Sequence, residues 1–444
     1  MIAVPAARLA PDEAASRAAA APGAFWLSTP AADEAEIARD LVGARPVVTV
    51  RGTTTGDLAR LEQAWGEARA AWGGEGGAAA GVPVAVGWLS YELGRRLVGL
   101  APREVDHPLF EFHFNDAVWL RDETGAATIF ARDTAAAERL AALLSRAQPT
   151  EPPLLGPLEA VHREETFLDG VRRILEYLQA GDAYQVNLSR RLRASCTAGD
   201  PTFLAAALRA GSPAPHAAFI AGNDTGAEAV TILGNSPERF LSRSIDGVVE
   251  TRPIKGTRPR GANAAADRAA AAELSAAAKD RAEHVMIVDL ERNDLGRVCR
   301  PGSVEVASLA RVVSLPTVHH LISTVRGQLR PDVGLAALLA ATFPGGSVTG
   351  APKRRAMQII DELEPAPRGV YTGATGWLGA AGDLDLAIAI RTAVLRGGQL
   401  ELSVGGGIVV DSTPEGELRE TEVKARAFAA LCGARSEQQP PPPR

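Results

Sequence analysis

Two stretches of this sequence alternate with a strict period of two, and they limit what the chain can fold into more than any other feature. Tyr184, Val186 and Leu188 alternate with Gln185, Asn187 and Ser189. Leu384, Leu386, Ile388 and Ile390 alternate with Asp385, Ala387, Ala389 and Arg391. Successive side chains of a strand point to opposite faces, so both stretches read as sheet, the first as a half-buried strand with its polar residues outward. Helical spacing interrupts this pattern. Phe167, Leu168, Val171, Ile174, Leu175 and Leu178 recur at helical intervals before Gly181. Further helices are expected around 58–72, as one long stretch over about 264–297, and at 414–432, where Ser412-x-x-Glu415 with Pro414 reads as a capping signal. Strands are expected at 47–50, 82–91, 217–222, 229–233, 247–252, 371–379, 384–395 and 399–410. Mainly antiparallel strands with interspersed helices predict an α+β fold.

A chain of 444 residues suits one large domain or two to three smaller ones. The prolines of Glu151–Pro157 forbid helix and central strand, which suggests an N-terminal domain over 1–157, a second domain over 158–433 and a disordered tail over 434–444. The formal net charge of −6 argues against nucleic-acid binding. Three cysteines, Cys196, Cys299 and Cys432, lack CxxC spacing, which points to a reducing compartment and away from a thiolate metal site. No apolar run approaches the roughly 20 residues of a membrane span, and no leader pattern opens the chain, so a cytoplasmic protein is expected. Of 47 basic residues only four are lysine (Lys255, Lys279, Lys353 and Lys424), so each is a candidate for work that arginine cannot do.

Several segments carry chemistry. Asp280 and Glu283 lie at i and i+3 of one helix, and Glu417, Glu420 and Lys424 share a face of another. Two such helices can converge on Mg²⁺, which accepts one or two carboxylates and keeps its waters; they can equally be solvated faces. Lys255 sits in a Pro/Gly-punctuated loop among Arg252, Arg258 and Arg260; such cations lower an amine pKa and make it a nucleophile, and the alternative is a solvated loop lysine. The loop Phe343–Lys353 looks like a phosphate loop, but Ala351-Pro352 stand where Lys and Ser/Thr belong; an anion site of backbone amides stays open. Arg391 beside small residues suits a ligand carboxylate, or pairs with Asp383 or Asp385. The glycines of Val404-Gly-Gly-Gly-Ile408 mark a bulge or a close approach of backbone to ligand. Ser236-Pro-Glu238 puts an acid in a tight turn, and His319-His320 lies in an apolar context.

Taken together, Gly181–Ser189, the Lys255 loop, Lys279–Asp294, His320–Ser323, the 343–353 loop, Gly369–Gly373, Ile390–Thr392, Gly405–Gly407 and Glu417–Lys424 resemble the chorismate-utilising enzymes, in order across about 165–432. Gly87–Gly94 extends the likeness more loosely toward the N-terminus. The resemblance implies a four-layer α/β/β/α fold with two orthogonally packed sheets and Mg²⁺-dependent conversion of chorismate between them. It implies Glu283 and Glu420 as metal ligands with Asp280 and Glu417 supporting them, and Gln185, Thr349, Tyr371, Arg391, Gly406, Gly407 and Lys424 around the substrate. Glu238 is implied as general acid at the C4 hydroxyl, with His320 near the leaving group. Members that use water as nucleophile carry a lysine at the position of Gln185, so those reactions are not expected. Pro253-Ile-Lys-Gly-Thr257 and Thr349-Gly-Ala-Pro352 resemble the branch that aminates chorismate at C4, with Lys255 as covalent nucleophile at C2. The alternative is the anthranilate-forming branch, whose loop reads Pro-Ile-Ala-Gly-Thr. No glutaminase signature surrounds the cysteines, so ammonia is expected from a separate glutamine amidotransferase subunit. A non-catalytic binder is a third reading, since Phe25–Ser28 faintly resembles a tryptophan site of some relatives.

Overall fold

The structure, a computed structural model, describes residues 1–29, 38–73, 79–146, 151–224 and 229–433. The expected tail lies outside them. Two large sheets carry the fold. One runs from Ile2–Pro5 through Ala127–Ala131, Ala117–Asp122, Arg39–Gly43, Phe25–Thr29, His216–Ala221, Thr231–Ser236, Thr392–Arg396, Gln399–Ile408 and Gln185–Ser195 to Gly350–Ala351. The other runs from Ile254–Pro259 through Val318–Gln328, Val248–Thr251, Arg239–Arg243, Leu384–Ile388, Ala374–Gly379, Pro83–Leu89 and Phe110–Phe114 to Val48–Gly52. Neighbouring strands pair antiparallel.

The buried apolar clusters show why there are four layers. Phe25, Leu27, Leu41 and Ile220 of the first sheet meet Val86, Trp88 and Trp377 of the second, so these faces pack on each other. The far side of the first sheet lies under helices: Trp119, Leu233 and Leu402 pack with Ala14, Leu140, Leu208 and Phe428, and Val186, Leu188 and Ile408 pack with Val171 and Ile360. The far side of the second does the same, with Phe112, Leu384 and Leu386 beside Leu61, Trp65, Leu295 and Leu338. A sheet with two apolar faces needs a cover on both, and helix, sheet, sheet, helix is the result.

Strands from both sides of the 151–157 crossing are neighbours in both sheets. Phe25–Thr29 pairs with His216–Ala221, and Pro83–Leu89 pairs with Ala374–Gly379. Four local expectations change. The helix over 264–297 is two helices, Ala264–Ala276 and Ala278–Gly296, broken at Ala277 by extended backbone (ψ 98°). The strand over 384–395 is two strands in different sheets, Leu384–Ile388 and Thr392–Arg396, joined by a corner where Arg391 has φ 51°. Gln185 and Asn187 are buried, not wet: Val186 and Leu188 face the helices, so the polar residues face the other sheet. The Pro414–Gly433 helix is capped by the Thr413 hydroxyl, which accepts from Gly416 N at 3.3 Å, while Ser412 bonds to Glu417 instead. The three cysteines are free, and among the described residues no helix is long and apolar enough to cross a membrane.

Gly87 pairs with Gly376 where adjacent strands leave no room: a Cβ on Gly87 would lie 2.1 Å from the Glu111 carbonyl oxygen. Gly87→Ala is expected to cost about 1–3 kcal/mol of stability by overpacking, read as a lower urea midpoint at unchanged slope.

Candidate active site

Lys255 reaches the space between the sheets because its strand is bulged. Ile254 pairs with Ile322 and Thr257 with His320, so Lys255 and Gly256 together oppose a single partner residue. Such a bulge re-aims a side chain. Gly256 has φ +83° and a Cβ there would meet Leu274 Cδ1 at 3.0 Å, so glycine is required on both counts. Burial of its amine lowers the Lys255 pKa, and the Lys424 ammonium acts in the same direction against Glu283. The expected cations are elsewhere: Arg252 pairs with Glu250 at 2.9 Å, Arg258 with Glu273 at 2.9 Å, and Arg260 with Asp267 at 2.7 Å. Lys255 itself makes no ion pair among the described residues.

Gly407 explains the glycine run. The Gln399–Ile408 strand keeps regular register through Gly405, Gly406 and Gly407 opposite Ser189, Leu188 and Asn187, so there is no bulge. A Cβ on Gly407 would lie 2.8 Å from both Lys255 Nζ and Gln185 Cδ. A Cβ on Gly406 would lie 3.1 Å from Glu417 Oε2 and 3.5 Å from both Glu420 Oε1 and Lys424 Nζ. Bare backbone therefore forms the floor between the lysine and the acids. Gln185 is fully buried, and neither of its amide atoms has a hydrogen-bond partner in the protein. A buried amide left unsatisfied is costly, and this one stands beside the lysine amine, where a polar ligand would satisfy it.

Glu238 is buried, accepts from Ile254 N at 3.3 Å, and burial pushes its carboxyl up to about 7. It can therefore hold a proton near neutrality. His320 accepts or donates through Nδ1 to the Thr257 hydroxyl at 2.8 Å. Burial, aided by the Arg391 charge, pushes its pKa down to about 4, so it is neutral. Arg391 pairs with neither Asp383 nor Asp385: Asp385 is held by Arg239 at 3.0 and 3.1 Å, and Asp383 accepts Gly81 N at 2.6 Å. The Tyr371 ring is buried near the Arg368 guanidinium, 5.8 Å from its centroid, and burial raises its hydroxyl pKa. The Thr349 hydroxyl is spent inside its own turn, donating to the Gly345 carbonyl at 3.0 Å. The end of that turn is tied into the sheet: Gly350 and Ala351 pair with Val186 and Gln185, and a Cβ on Gly350 would strike the Gln185 carbonyl at 2.2 Å. Of the buried or nearly buried residues Arg368, Lys353 and Glu291, Glu291 carried no spacing signal, Arg368 only its i, i+4 relation to Glu364, and Lys353 only the rarity of lysine and its place in the 343–353 loop.

The acids of the two helices do converge. Burial raises the Glu283 carboxyl, and Asp280 and Glu420 raise it further. Burial and Glu420 likewise raise Glu417, which accepts from Ser412 Oγ at 2.6 Å. Burial also pushes Glu420 up, but Lys424, at 2.7 Å, outweighs it and holds that carboxyl down. Lys424 donates as well to the Gly405 carbonyl at 2.7 Å. Asp280 pairs with Arg258 at 3.0 Å. Among the described residues no three His, Cys, Asp or Glu side chains are gathered closely enough to bind a metal by themselves. Carboxylates from two helices that raise one another's pKa beside bare glycine backbone are of the chemistry that fits a hard cation such as Mg²⁺, which takes one or two of them.

The sequence matches the family described as chorismate binding enzyme over residues 23–430. It is 42% identical to aminodeoxychorismate synthase component 1 of Salmonella typhimurium, over 76% of this chain and 74% of that protein. It is 42% identical to aminodeoxychorismate synthase of Streptomyces pristinaespiralis over 78% of this chain, which spans only half the length of that relative. The crystal structure of anthranilate synthase component I from Streptococcus pneumoniae superposes with a TM-score of 0.74 at 30% identity, covering 89% of this chain and 93% of that one.

The glycine floor makes a direct prediction. Gly407→Ala places a methyl group where Lys255 and Gln185 meet, on a strand of ordinary backbone conformation. Turnover is expected to fall at least about tenfold, the loss a 1 Å misplacement exceeds in well-ordered sites, with little change in the thermal midpoint.

Proposed function

Because the chain belongs to the chorismate binding enzyme family, we propose that it aminates chorismate at C4, giving 4-amino-4-deoxychorismate, the precursor of 4-aminobenzoate. The observation that carries this reading is Lys255, a buried amine with a lowered pKa and no ion pair, opposite a carboxylic acid that titrates near 7. The neutral amine of Lys255 attacks C2 of the ring while the C4 hydroxyl departs as water with the proton of Glu238. Ammonia then adds at C4, the C2–nitrogen bond breaks, and the added nitrogen gives up a proton. Chorismate and ammonia thus become aminodeoxychorismate and water, and the enzyme is restored. The tethered amine explains why nitrogen arrives at C4, since ammonia adding directly at C2 leads toward anthranilate.

Arg391 and Lys424, with the Gly406–Gly407 backbone and Tyr371, are suited to the substrate carboxylates, and Gln185 to a polar group beside the reacting carbon. His320, being neutral, acts by hydrogen bonding near the leaving group. Mg²⁺ held by Glu283 and Glu420, with Glu417 and Asp280 behind them, would neutralise a substrate carboxylate. Relatives named as a component 1 support a separate glutamine amidotransferase subunit as the source of ammonia, in a heterodimer. The Streptococcus neighbour keeps anthranilate formation as the second reading.

Product analysis with chorismate, Mg²⁺ and an ammonium salt separates the two. Aminodeoxychorismate is expected from the purified chain, and Lys255→Ala is expected to abolish it; unchanged C4 amination by that variant would end the covalent role. A general acid works only while protonated, so with Glu238 at about 7 the rate is expected to fall toward tenfold per pH unit above that value. Glu238→Gln, unable to donate a proton, is expected to lose about 10²–10⁴-fold at every pH, measured as kcat.

A further inference from the structure

Behind Glu238 lies a second acid that the chemistry above does not use. Glu291 is 6% exposed, on the Ala278–Gly296 helix. Its Oε2 accepts from the Thr251 hydroxyl at 2.6 Å, and Thr251 is itself buried. Thr251 ends the Val248–Thr251 strand, and only Arg252, Pro253 and Ile254 separate it from Lys255. On its other side, Glu291 Cγ would lie 3.6 Å from a Cβ on Gly346, in the turn preceding Thr349. Glu291 thus touches both segments that lead into the site.

Its charge state follows from its surroundings. Among the described residues Glu291 makes no ion pair. The nearest cation, Lys353, is occupied by Asp294 at 2.6 Å and by the Thr342 carbonyl at 3.2 Å. The other ionisable groups that act on it, Glu238 from the facing turn and Asp294 from its own helix, are acids that oppose a negative charge. A buried carboxyl without a cation keeps its proton. Burial, reinforced by Glu238 and Asp294, pushes Glu291 up to about 8.

We propose that Glu291 is a positioning residue which, as a neutral acid bonded to Thr251 and packed on the Gly345–Gly346 turn, fixes the strand end that carries Lys255 relative to Glu238. The inference rests on the roles given to those two residues. Its neutrality leaves no charge behind the general acid. Ionisation of Glu291 would strengthen its bond to Thr251 but put two carboxylates in one buried pocket, whose repulsion would shift Glu238 relative to Lys255.

The test uses the full chain with Glu291→Gln, Glu291→Met and Thr251→Val. Glutamine retains an oxygen acceptor for Thr251 and never ionises, so Glu291→Gln is expected to stay within about threefold of wild type at pH 7. Glu291→Met and Thr251→Val lose the bond, and kcat is expected to fall about tenfold with KM within twofold. Above about pH 8 the wild-type rate is expected to fall up to about tenfold further than that of Glu291→Gln, whose profile follows Glu238 alone. A readout independent of turnover comes from linkage. A group whose folded pKa is raised gives its full stability below the unfolded value and loses it as pH rises through the folded value. The thermal midpoint of Glu291→Gln is therefore expected to gain several degrees on wild type between pH 5 and pH 8. An unchanged difference in midpoint across that range, or superimposable pH–rate curves, would overturn the proposal. Loss of the Lys255 role alone would leave the midpoint result standing, which separates failure of this inference from failure of the proposed reaction.

Discussion

Arg368 is the charge around which the site is assembled. It is 5% exposed, and burial of a guanidinium is tolerable only with every donor engaged. It donates to both oxygens of Glu364 at 2.8 and 2.7 Å, to the carbonyls of Val348 and Asn187 at 3.0 and 2.9 Å, and to the Thr372 hydroxyl at 3.2 Å. Glu364 in turn accepts the Ser189 amide and hydroxyl at 2.8 Å each. The backbone amide of Arg368 donates to Glu92, in the Tyr91–Leu97 helix, at 2.9 Å, and its guanidinium lies 4.6 Å from the Tyr91 ring centroid. One side chain therefore ties the strand of Gln185, the turn of Thr349, the neighbour of Tyr371 and an N-terminal helix into one frame. Breaking a buried pair of this kind costs about 3–5 kcal/mol, because the partner is left charged and dry.

Within that frame, desolvation alone produces complementary chemistry. Burial destabilises whichever form is charged, so it moves an amine and a carboxyl in opposite directions. Lys255 is pushed toward the free amine and Glu238 toward the protonated acid. One cause thus shifts both groups toward the forms that the proposed reaction needs, with the Lys424 ammonium assisting at Lys255. The acids at the far side of the glycine floor escape this fate only where a cation is near: Glu420 has Lys424, whereas Glu283 and Glu417 remain raised. A divalent cation bound there, as proposed, would relieve Glu283 and Glu417 as Lys424 relieves Glu420.

What the sequence made legible were features with local period or punctuation. The i, i+3 acids on two helices, the triple glycine and the Lys255-Gly256 loop stand out by spacing, and they meet in space. The misreadings come from tertiary constraints. Alternation through 384–395 is continuous, yet the chain changes sheets at Arg391, because a residue with positive φ turns a corner without disturbing the pattern on either side. The polar face of Gln185 and Asn187 looks like a solvated edge, but an active site between two sheets is lined by polar residues too. Arginines next to Lys255 in sequence find acids of their own, because the bulge points Lys255 the opposite way. Glu291 has no local signature, since its partner Thr251 comes from a distant segment, and the i, i+4 pair of Glu364 and Arg368 gives no sign of the segments that it ties together.

The four lysines now separate by what arginine would do in each place. In the proposed reaction Lys255 could not be arginine, because a guanidinium keeps its proton and cannot attack carbon. Lys353 donates to Asp294 Oδ2 and to the Thr342 carbonyl, and nothing in those two contacts favours an ammonium over a guanidinium. Lys424 lies between these cases, bridging the Gly405 carbonyl and Glu420 with a compact charge that also depresses the Lys255 pKa. Lys279 is half exposed and 4.0 Å from Asp411, a contact that arginine would make equally well. Rarity of lysine therefore marks two positions, Lys255 and Lys424, where the shape or acidity of the ammonium matters, and two where an arginine could make the same ion pair.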